Sequence, residues 1–273
     1  MYTHSTEAGW ISRTHRAIAP FRLHRPNTPA EAVAAMSAAE DAAIIAGGID
    51  LVRRLRSGDT ADTLIDLSGL KDLRAIEDCG DFVRIGAMAT HWDIETSPLL
   101  SECLAAFQAA WTTIGNVRIR MTGTLGGNLM AAEPTYDGPV LLGVLGAKLV
   151  FLSSAGETLV AASTDPRDYP SGALLISIDV PVSPTANLAF DRSLKPVVSV
   201  AAGLDGSAVS IGVGCAYASP MFWTGHLSEI PDGLAAALPD PIDNPMGSGA
   251  YRRRMISLLS RRLLEQMQVG FEL

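Results

Sequence analysis

Cysteine is scarce and scattered in this chain: Cys79, Cys103 and Cys215 stand far apart, and none forms a C-x-x-C pair. That spacing excludes a disulfide framework and gives no support to a zinc or iron–sulfur site, so the three read as buried, small apolar residues. Positive charge is also short, with 21 Lys and Arg against 29 Asp and Glu, which argues against a nucleic-acid partner. No uninterrupted apolar run nears membrane-spanning length. The first twenty residues hold His4, Arg13, His15 and Arg16 without an apolar segment, so neither membrane insertion nor a signal peptide is expected. A reducing cytoplasm is the expected setting. The five histidines are dispersed, and His91 beside Trp92 reads as a helix-start residue rather than a ligand. Neither G-x-G-x-x-G nor G-x-x-x-x-G-K-[ST] occurs, so the single-site nucleotide fingerprints are missing.

What the chain does have is two loops built on glycine pairs. The first, Ala46-Gly47-Gly48-Ile49-Asp50-Leu51, follows the apolar run Ala42-Ala43-Ile44-Ile45 and opens a helical-looking segment. A strand, a tight turn and a helix N-terminus in that order can hold a pyrophosphate through backbone donors and the helix dipole. The second, Thr124-Leu125-Gly126-Gly127-Asn128-Leu129, combines a hydroxyl, two glycines and an amide, and Asp137 follows it. Alone, a Gly-Gly pair is more often a tight turn than a phosphate cradle.

Along the chain, residues 1–19 lack periodicity and read as a flexible extension. Residues 21–24 read as a short strand, and Thr28-Pro29-Ala30-Glu31 opens a helix to Met36 with an N-cap, a proline at the first helical position and a capping-box glutamate. Ile44 and Ile45, residues 51–55 and residues 63–67 complete a small β-α-β-α-β unit. Residues 73–77 and 82–86 alternate with period two and predict an antiparallel hairpin. Thr90 and Ser97-Pro98 mark helix starts, residues 99–111 carry one helical stripe, and residues 114–128 read as glycine-punctuated loop. A helix over 138–145 and strands over 148–152, 158–162 and 174–180 follow. Beyond Pro181 and Pro184, residues 188–190, 197–204 and 209–217 predict a three-stranded antiparallel sheet, closed by helices over 233–238 and 251–269. Ile256, Leu259, Leu263 and Met267 form a core-facing stripe on the last helix. The fold class is α+β: a first domain over residues 20–181, with a small parallel β-α-β unit and an antiparallel sheet, then a C-terminal domain over 182–273.

Taken together, these signatures resemble the FAD-binding medium subunit of the molybdenum hydroxylases, the group that includes carbon monoxide dehydrogenase and the bacterial xanthine, nicotine and quinoline dehydrogenases. The resemblance covers residues 20–268. Ile119-Arg120-Met121-Thr122-Gly123-Thr124-Leu125-Gly126-Gly127-Asn128 is similar to the family's I-R-N-x-G-T-I-G-G-N, and Glu133-Pro134-Thr135-Tyr136-Asp137-Gly138-Pro139 to D-P-A-A-D-x-P. Leu175-Ile176-Ser177-Ile178-Asp179-Val180-Pro181 resembles the strand that ends the flavin domain, and Gly247-Ser248-Gly249-Ala250-Tyr251-Arg252 the G-S-A-x-Y-R opening of the last helix.

The resemblance implies an oxidoreductase subunit and a role for each site residue. Ile44, Ile45, Ala46, Gly47, Gly48, Ile49, Asp50 and Leu51 would wrap the FAD pyrophosphate and ribose. Thr124, Gly126, Gly127 and Asn128 would hold the diphosphate and approach the flavin, Asp137 would bind the adenosine portion or nearby polar groups, and Ile114 and Ile176 would make apolar contacts. No catalytic or metal-binding residue is implied. Two departures stand out: Ile49 replaces a polar residue of many members, and Asp191 stands where several have a lysine near the flavin, with Arg192 or Lys195 as substitutes. In the family, a molybdenum–pterin centre hydroxylates substrate and two [2Fe-2S] clusters carry electrons to FAD. Three isolated cysteines cannot supply those clusters, so a large molybdenum–pterin subunit and a small iron–sulfur subunit are implied, with an unknown electron acceptor. Two other readings stay open: a self-sufficient FAD oxidoreductase similar to the enolpyruvyl-sugar reductase, and a flavin-free scaffold subunit.

Overall fold

A computed structural model describes residues 18–183, 186–193, 196–227 and 234–269. Most of the expected N-terminal extension (residues 1–17), together with Pro184, Lys195 and Gly233, lies outside the described residues.

The expected parallel unit is there. Strands β1 (Arg22–His24), β2 (Ala42–Ile45) and β3 (Thr63–Asp66) run parallel in the order β1-β3-β2, with helices α1 (Pro29–Ala38) and α2 (Ile49–Ser57) as crossovers. Helix α1 starts where its cap dictates: Thr28 Oγ1 accepts from the Glu31 amide at 3.1 Å, and Glu31 reaches back to the Asn27 amide at 2.7 Å. Its buried Ala32 and Val33 pack with Ile65, Leu67 and Leu174, joining this unit to the next sheet.

That second sheet has five antiparallel strands in the order β4-β5-β8-β6-β7: β4 (Ile76–Asp78), β5 (Phe82–Gly86), β6 (Lys148–Ser153), β7 (Gly156–Ala161) and β8 (Leu174–Pro181). The hairpin expected over 73–77 begins later, because Leu73 and Arg74 belong to a 3-10 turn. The single helix expected over 99–111 is broken at Leu104, giving α4 (Pro98–Cys103) and α5 (Ala105–Trp111) after α3 (His91–Thr96). Gln108 Nε2 bridges these pieces by donating to the Ile94 and Ser97 carbonyls, at 3.0 and 2.8 Å. The segment expected as loop over 114–128 instead contains two one-turn helices, α6 (Val117–Thr122) and α7 (Leu125–Met130). Each has a side-chain cap: Asn116 Oδ1 takes the Arg118 and Ile119 amides, and Thr124 Oγ1 the Gly127 amide. Helix α8 (Gly138–Val144) and Trp111, Phe107, Ile94 and Leu100 complete the central core.

The last sheet holds one strand more than expected. β9 (Ala186–Arg192), β10 (Ser199–Asp205) and β11 (Ala208–Gly214) are joined by β12 (Met221–His226) at the edge, in the order β12-β11-β10-β9. β12 is half-exposed and carries no strict alternation, so its pattern is weak. After the short α9 (Leu234–Ala237), α10 (Gly249–Val269) lays Ile256, Leu259, Leu263 and Met267 on this sheet, all buried, as its stripe required. Burying each such side chain contributes roughly 1.5–3 kcal/mol. The cysteines divide differently from expectation: Cys215 is buried, Cys103 half-buried and Cys79 exposed, on the turn between β4 and β5. Among the described residues, no helix is long and apolar enough to cross a membrane.

Candidate cofactor site

The first glycine loop joins β2 to α2, and Gly48 is the N-cap of that helix with φ +73°, a conformation suited to glycine. Among the described residues, no side chain caps the helix. The amides of Gly48, Ile49, Asp50 and Leu51 have no acceptor among the described residues, so four donors at a positive dipole end face outward. Asp50 does not compete for them: its carboxylate takes Arg53 Nη2 at 2.5 Å and Arg54 Nε at 2.9 Å. That pairing cancels the one negative charge of the first turn, leaving the helix start suited to an anion. Gly47 serves a different purpose. A Cβ there would stand 1.9 Å from the Thr122 carbonyl oxygen, so this loop lies flush on the end of α6.

The second loop has its amides committed. Leu125 N–H donates to Ala89 O and Gly126 N–H to Ala87 O, both at 2.8 Å, and Gly127 N–H to Thr124 Oγ1 at 3.1 Å. Gly126 also packs on Ala87, whose Cβ and carbonyl oxygen would be 2.9 Å from any Cβ added there. The sequence suggested donors on both loops; the structure leaves free amides on the first and makes the second a smooth glycine wall.

Beyond that wall, Asn128 and Asp137 face a buried corner. Asp137 is 4% exposed. Its Oδ2 accepts from Arg192 Nη1 at 2.8 Å, and Arg192 Nη2 donates to the Thr113 carbonyl at 2.8 Å. Asp137 Oδ1 and Asn128 Oδ1 are buried without a well-formed hydrogen bond. Burial pushes the Asp137 carboxyl above its ordinary value, and Arg192 and the Ser199 hydroxyl pull it back only in part. Gly138 is needed beside Asn128, since a Cβ would come 2.3 Å from Asn128 Oδ1.

These parts enclose one cavity of about 340 Å³. Ile44, Ala46, Gly47, Gly48, Ile49, Asp50, Leu51, Ile114, Thr124, Gly126, Gly127, Asn128 and Asp137 all line it. Ile45 and Ile176 do not. Strand alternation turns Ile45 to the opposite face of β2, against Leu51, Leu55 and Leu64. Ile176 packs toward the core cluster of Ala32 and Val33, and its neighbours Leu174 and Leu175 take the wall instead. Sequence reasoning did not place Arg54, Met88, Ile119, Met130 and Tyr136 on the wall, although Ile119 and Tyr136 sit inside the family-like motifs. It set His91 aside as a helix-start residue; His91 does start α3, and it lines the cavity as well. Arg192, weighed as a substitute cation near a flavin, also lines it; Lys195 lies outside the described residues. Among the described residues, no cluster of three or more His, Cys, Asp or Glu could hold a metal ion.

An uncapped helix start with free amides, a glycine wall and unsatisfied buried acceptors in one cavity are features suited to an anionic, hydroxyl-bearing nucleotide cofactor. Residues 19–183 match the profile of the FAD binding domain in molybdopterin dehydrogenase, and the chain belongs to that family as an oxidoreductase flavoprotein of the medium-subunit type. It is 30% identical over 280 residues to the carbon monoxide dehydrogenase medium chain of Afipia carboxidovorans, covering 90% of this chain and 96% of that one. It is 34% identical over 143 residues to the nicotine 6-hydroxylase medium subunit of Paenarthrobacter nicotinovorans, covering 52% and 50%. Among solved structures, reconstituted CO dehydrogenase from Oligotropha carboxidovorans superposes with a TM-score of 0.83 at 28% identity, over 92% of this chain and 98% of that one.

Proposed function

We propose that this chain is the FAD-carrying electron-transfer subunit of a heterotrimeric molybdenum hydroxylase in the cytoplasm. It would receive electrons from the [2Fe-2S] clusters of a small partner subunit and deliver them to an external acceptor, while a large molybdenum–pterin subunit hydroxylates the substrate. In this reading residues 20–181 form the FAD-binding domain and residues 182–273 the C-terminal domain. The observation that carries it is the set of free amides at Gly48, Ile49, Asp50 and Leu51, opening into the same cavity as Asn128 and Asp137.

FAD fits these donors and acceptors. The α2 N-terminus, with Asp50 neutralised by Arg53 and Arg54, takes the diphosphate. Ala46 and Gly47 let the backbone approach it, and Thr124, Gly126 and Gly127 present a flat surface without competing donors. Asn128 and Asp137 offer acceptor oxygens to hydroxyl or amine groups, and Ile44 and Ile114 give apolar contact. When bound, FAD supplies the interconversion of one- and two-electron transfer; the chain supplies position and electrostatics. Relatives named for carbon monoxide, caffeine and nicotine share this type of chain, which supports placing substrate choice on another subunit.

Native purification through a tag on this chain tests the proposal. Flavin absorption with an iron–sulfur shoulder and two co-purifying subunits, identified by mass, is the expected result. Flavin on a lone chain that turns over its own substrate would favour the self-sufficient oxidoreductase. A colourless preparation would favour the scaffold.

A further inference from the structure

Resting on the reading of the cavity as an FAD site, we propose that His91 is a further cofactor-contacting residue, presenting the Nε2 edge of its ring to a polar atom of FAD. His91 is the first residue of α3, and its backbone N–H donates to the Gly123 carbonyl at 3.0 Å. That bond ties the main chain at His91 to the junction of α6 and α7. The side chain is only 2% exposed, yet it borders the cavity. One face stacks on Trp111, with ring centroids 5.5 Å apart and planes at 28°. The Cδ2–Nε2 edge lies against Gly123, where a Cβ would stand 3.0 Å from Cδ2 and 3.3 Å from Nε2. Gly123 also lines the cavity, so its missing side chain keeps that edge open. Of the two ring nitrogens, Nδ1 is the one sealed away without a partner.

The ring is neutral under ordinary conditions. Burial, reinforced by the positive charge of Arg120, pushes its pKa down to about 4. Arg120 is held in place by Glu95 Oε2 at 2.8 Å and the Gly115 carbonyl at 2.9 Å, so that charge is a fixed part of the surroundings. A neutral imidazole meets a ligand by hydrogen bonding rather than by charge. Among the described residues, none hydrogen-bonds to Nε2. A residue needed only for packing beside Trp111 could be an aromatic hydrocarbon, and the polar edge is the feature that packing leaves unexplained.

The test compares FAD binding by the full chain carrying native His91, His91→Phe and His91→Gln, with thermal stability of the FAD-free form as control. Phenylalanine keeps the stack and deletes both nitrogens; glutamine keeps a donor and an acceptor. The expected result is FAD affinity about tenfold weaker for His91→Phe and within about threefold of native for His91→Gln. FAD-free melting of the Phe variant should be unchanged or higher. Equal affinity and an identical flavin spectrum for the Phe variant overturn the proposal. A second measurement needs no variant: in ¹⁵N-histidine-labelled native chain, FAD should move the Nε2 resonance of His91, and an unmoved resonance overturns it. A native chain that takes up no FAD overturns the cofactor reading itself. A native chain that binds FAD while the Phe variant binds equally overturns only the role of His91.

Discussion

Gly47 lies directly against the carbonyl of Thr122: a Cβ on Gly47 would stand 1.9 Å from that oxygen and 2.8 Å from its carbon. The contact joins the two halves of the cavity wall, because Gly47 precedes the α2 donors and Thr122 ends α6. Gly48, next in sequence, has only side-chain atoms near it, the closest at 3.5 Å, but sits at φ +73°. The two glycines are therefore required for different reasons.

Gly47→Ala should consequently cost more than Gly48→Ala. The first forces backbone apart, by analogy with overpacking at about 1–3 kcal/mol or more; the second carries a left-handed strain of roughly 1–2 kcal/mol. Thermal unfolding and FAD affinity measured together should show Gly47→Ala losing both, and FAD affinity by more than about tenfold. If Gly48→Ala proves the more damaging in both assays, the packing explanation is wrong.

Asp137 leads to a prediction about pH. Its folded carboxyl holds a proton more tightly than an unfolded aspartate, because burial disfavours the charge. Such a group subtracts stability as pH rises from the ordinary aspartate value, near about 3.9, through the folded value, and the full penalty remains above it. In FAD-free protein, Asp137→Asn should therefore gain on the native chain as pH rises out of the acid range, then keep a constant advantage. Arg192, 40% exposed as a side chain, can be solvated once its partner is neutral. Melting curves from about pH 4 to 8 decide the matter. A difference that moves in favour of the native chain with rising pH would contradict the assignment.

Much of this architecture was legible in residue types. Thr28 and Glu31 marked the start of α1, Thr90 that of α3, and the 256-259-263-267 spacing the buried face of α10. The loops were located correctly in sequence, yet the use of their amides was not readable. Whether Gly126 N–H meets a ligand or Ala87 O depends on a contact 39 residues away in sequence, which local pattern cannot carry. The two helices within 114–128 were missed for a related reason. Six residues hold less than two turns, too few for a period, and caps at Asn116 and Thr124 look like any polar loop residue.

Arg252 shows how a motif residue acquires meaning only in three dimensions. It is 2% exposed, and its guanidinium donates to the carbonyls of Val197 and Cys215 at 2.6 Å, of Gly247 at 3.2 Å, and to Asn244 Oδ1 at 2.8 Å. These acceptors come from the turn before β10, the end of β11 and the segment leading into α10. Arg252→Leu would leave the buried carbonyls of Val197 and Cys215 without this donor, a loss on the order of 3–5 kcal/mol, while Gly247 O and Asn244 Oδ1 keep the Asn244 and Met246 amides. Lysine cannot span the same fork and should recover less than half. Chemical denaturation gives the test; a loss below about 1 kcal/mol for Arg252→Leu would mean that water replaces the guanidinium.

The turn that carries Tyr136 and Asp137 into the cavity begins with a strained residue. Ala132 follows α7 at φ +49°, the left-handed region, and its N–H still reaches Leu129 O at 3.3 Å. An alanine there bears roughly 1–2 kcal/mol that glycine would not, and glycine adds back about 0.5–1 kcal/mol through the freedom of the unfolded chain. Ala132→Gly should thus stabilise the protein by about 0.5 kcal/mol, a rise of one or two degrees in Tm at this chain length. The helix–turn hydrogen bond is retained, so FAD affinity should stay within about threefold of native. A drop in Tm would show that Leu129 and the 133–136 segment hold Ala132 in a relaxed conformation, and that the Cβ itself contributes packing beside the cavity.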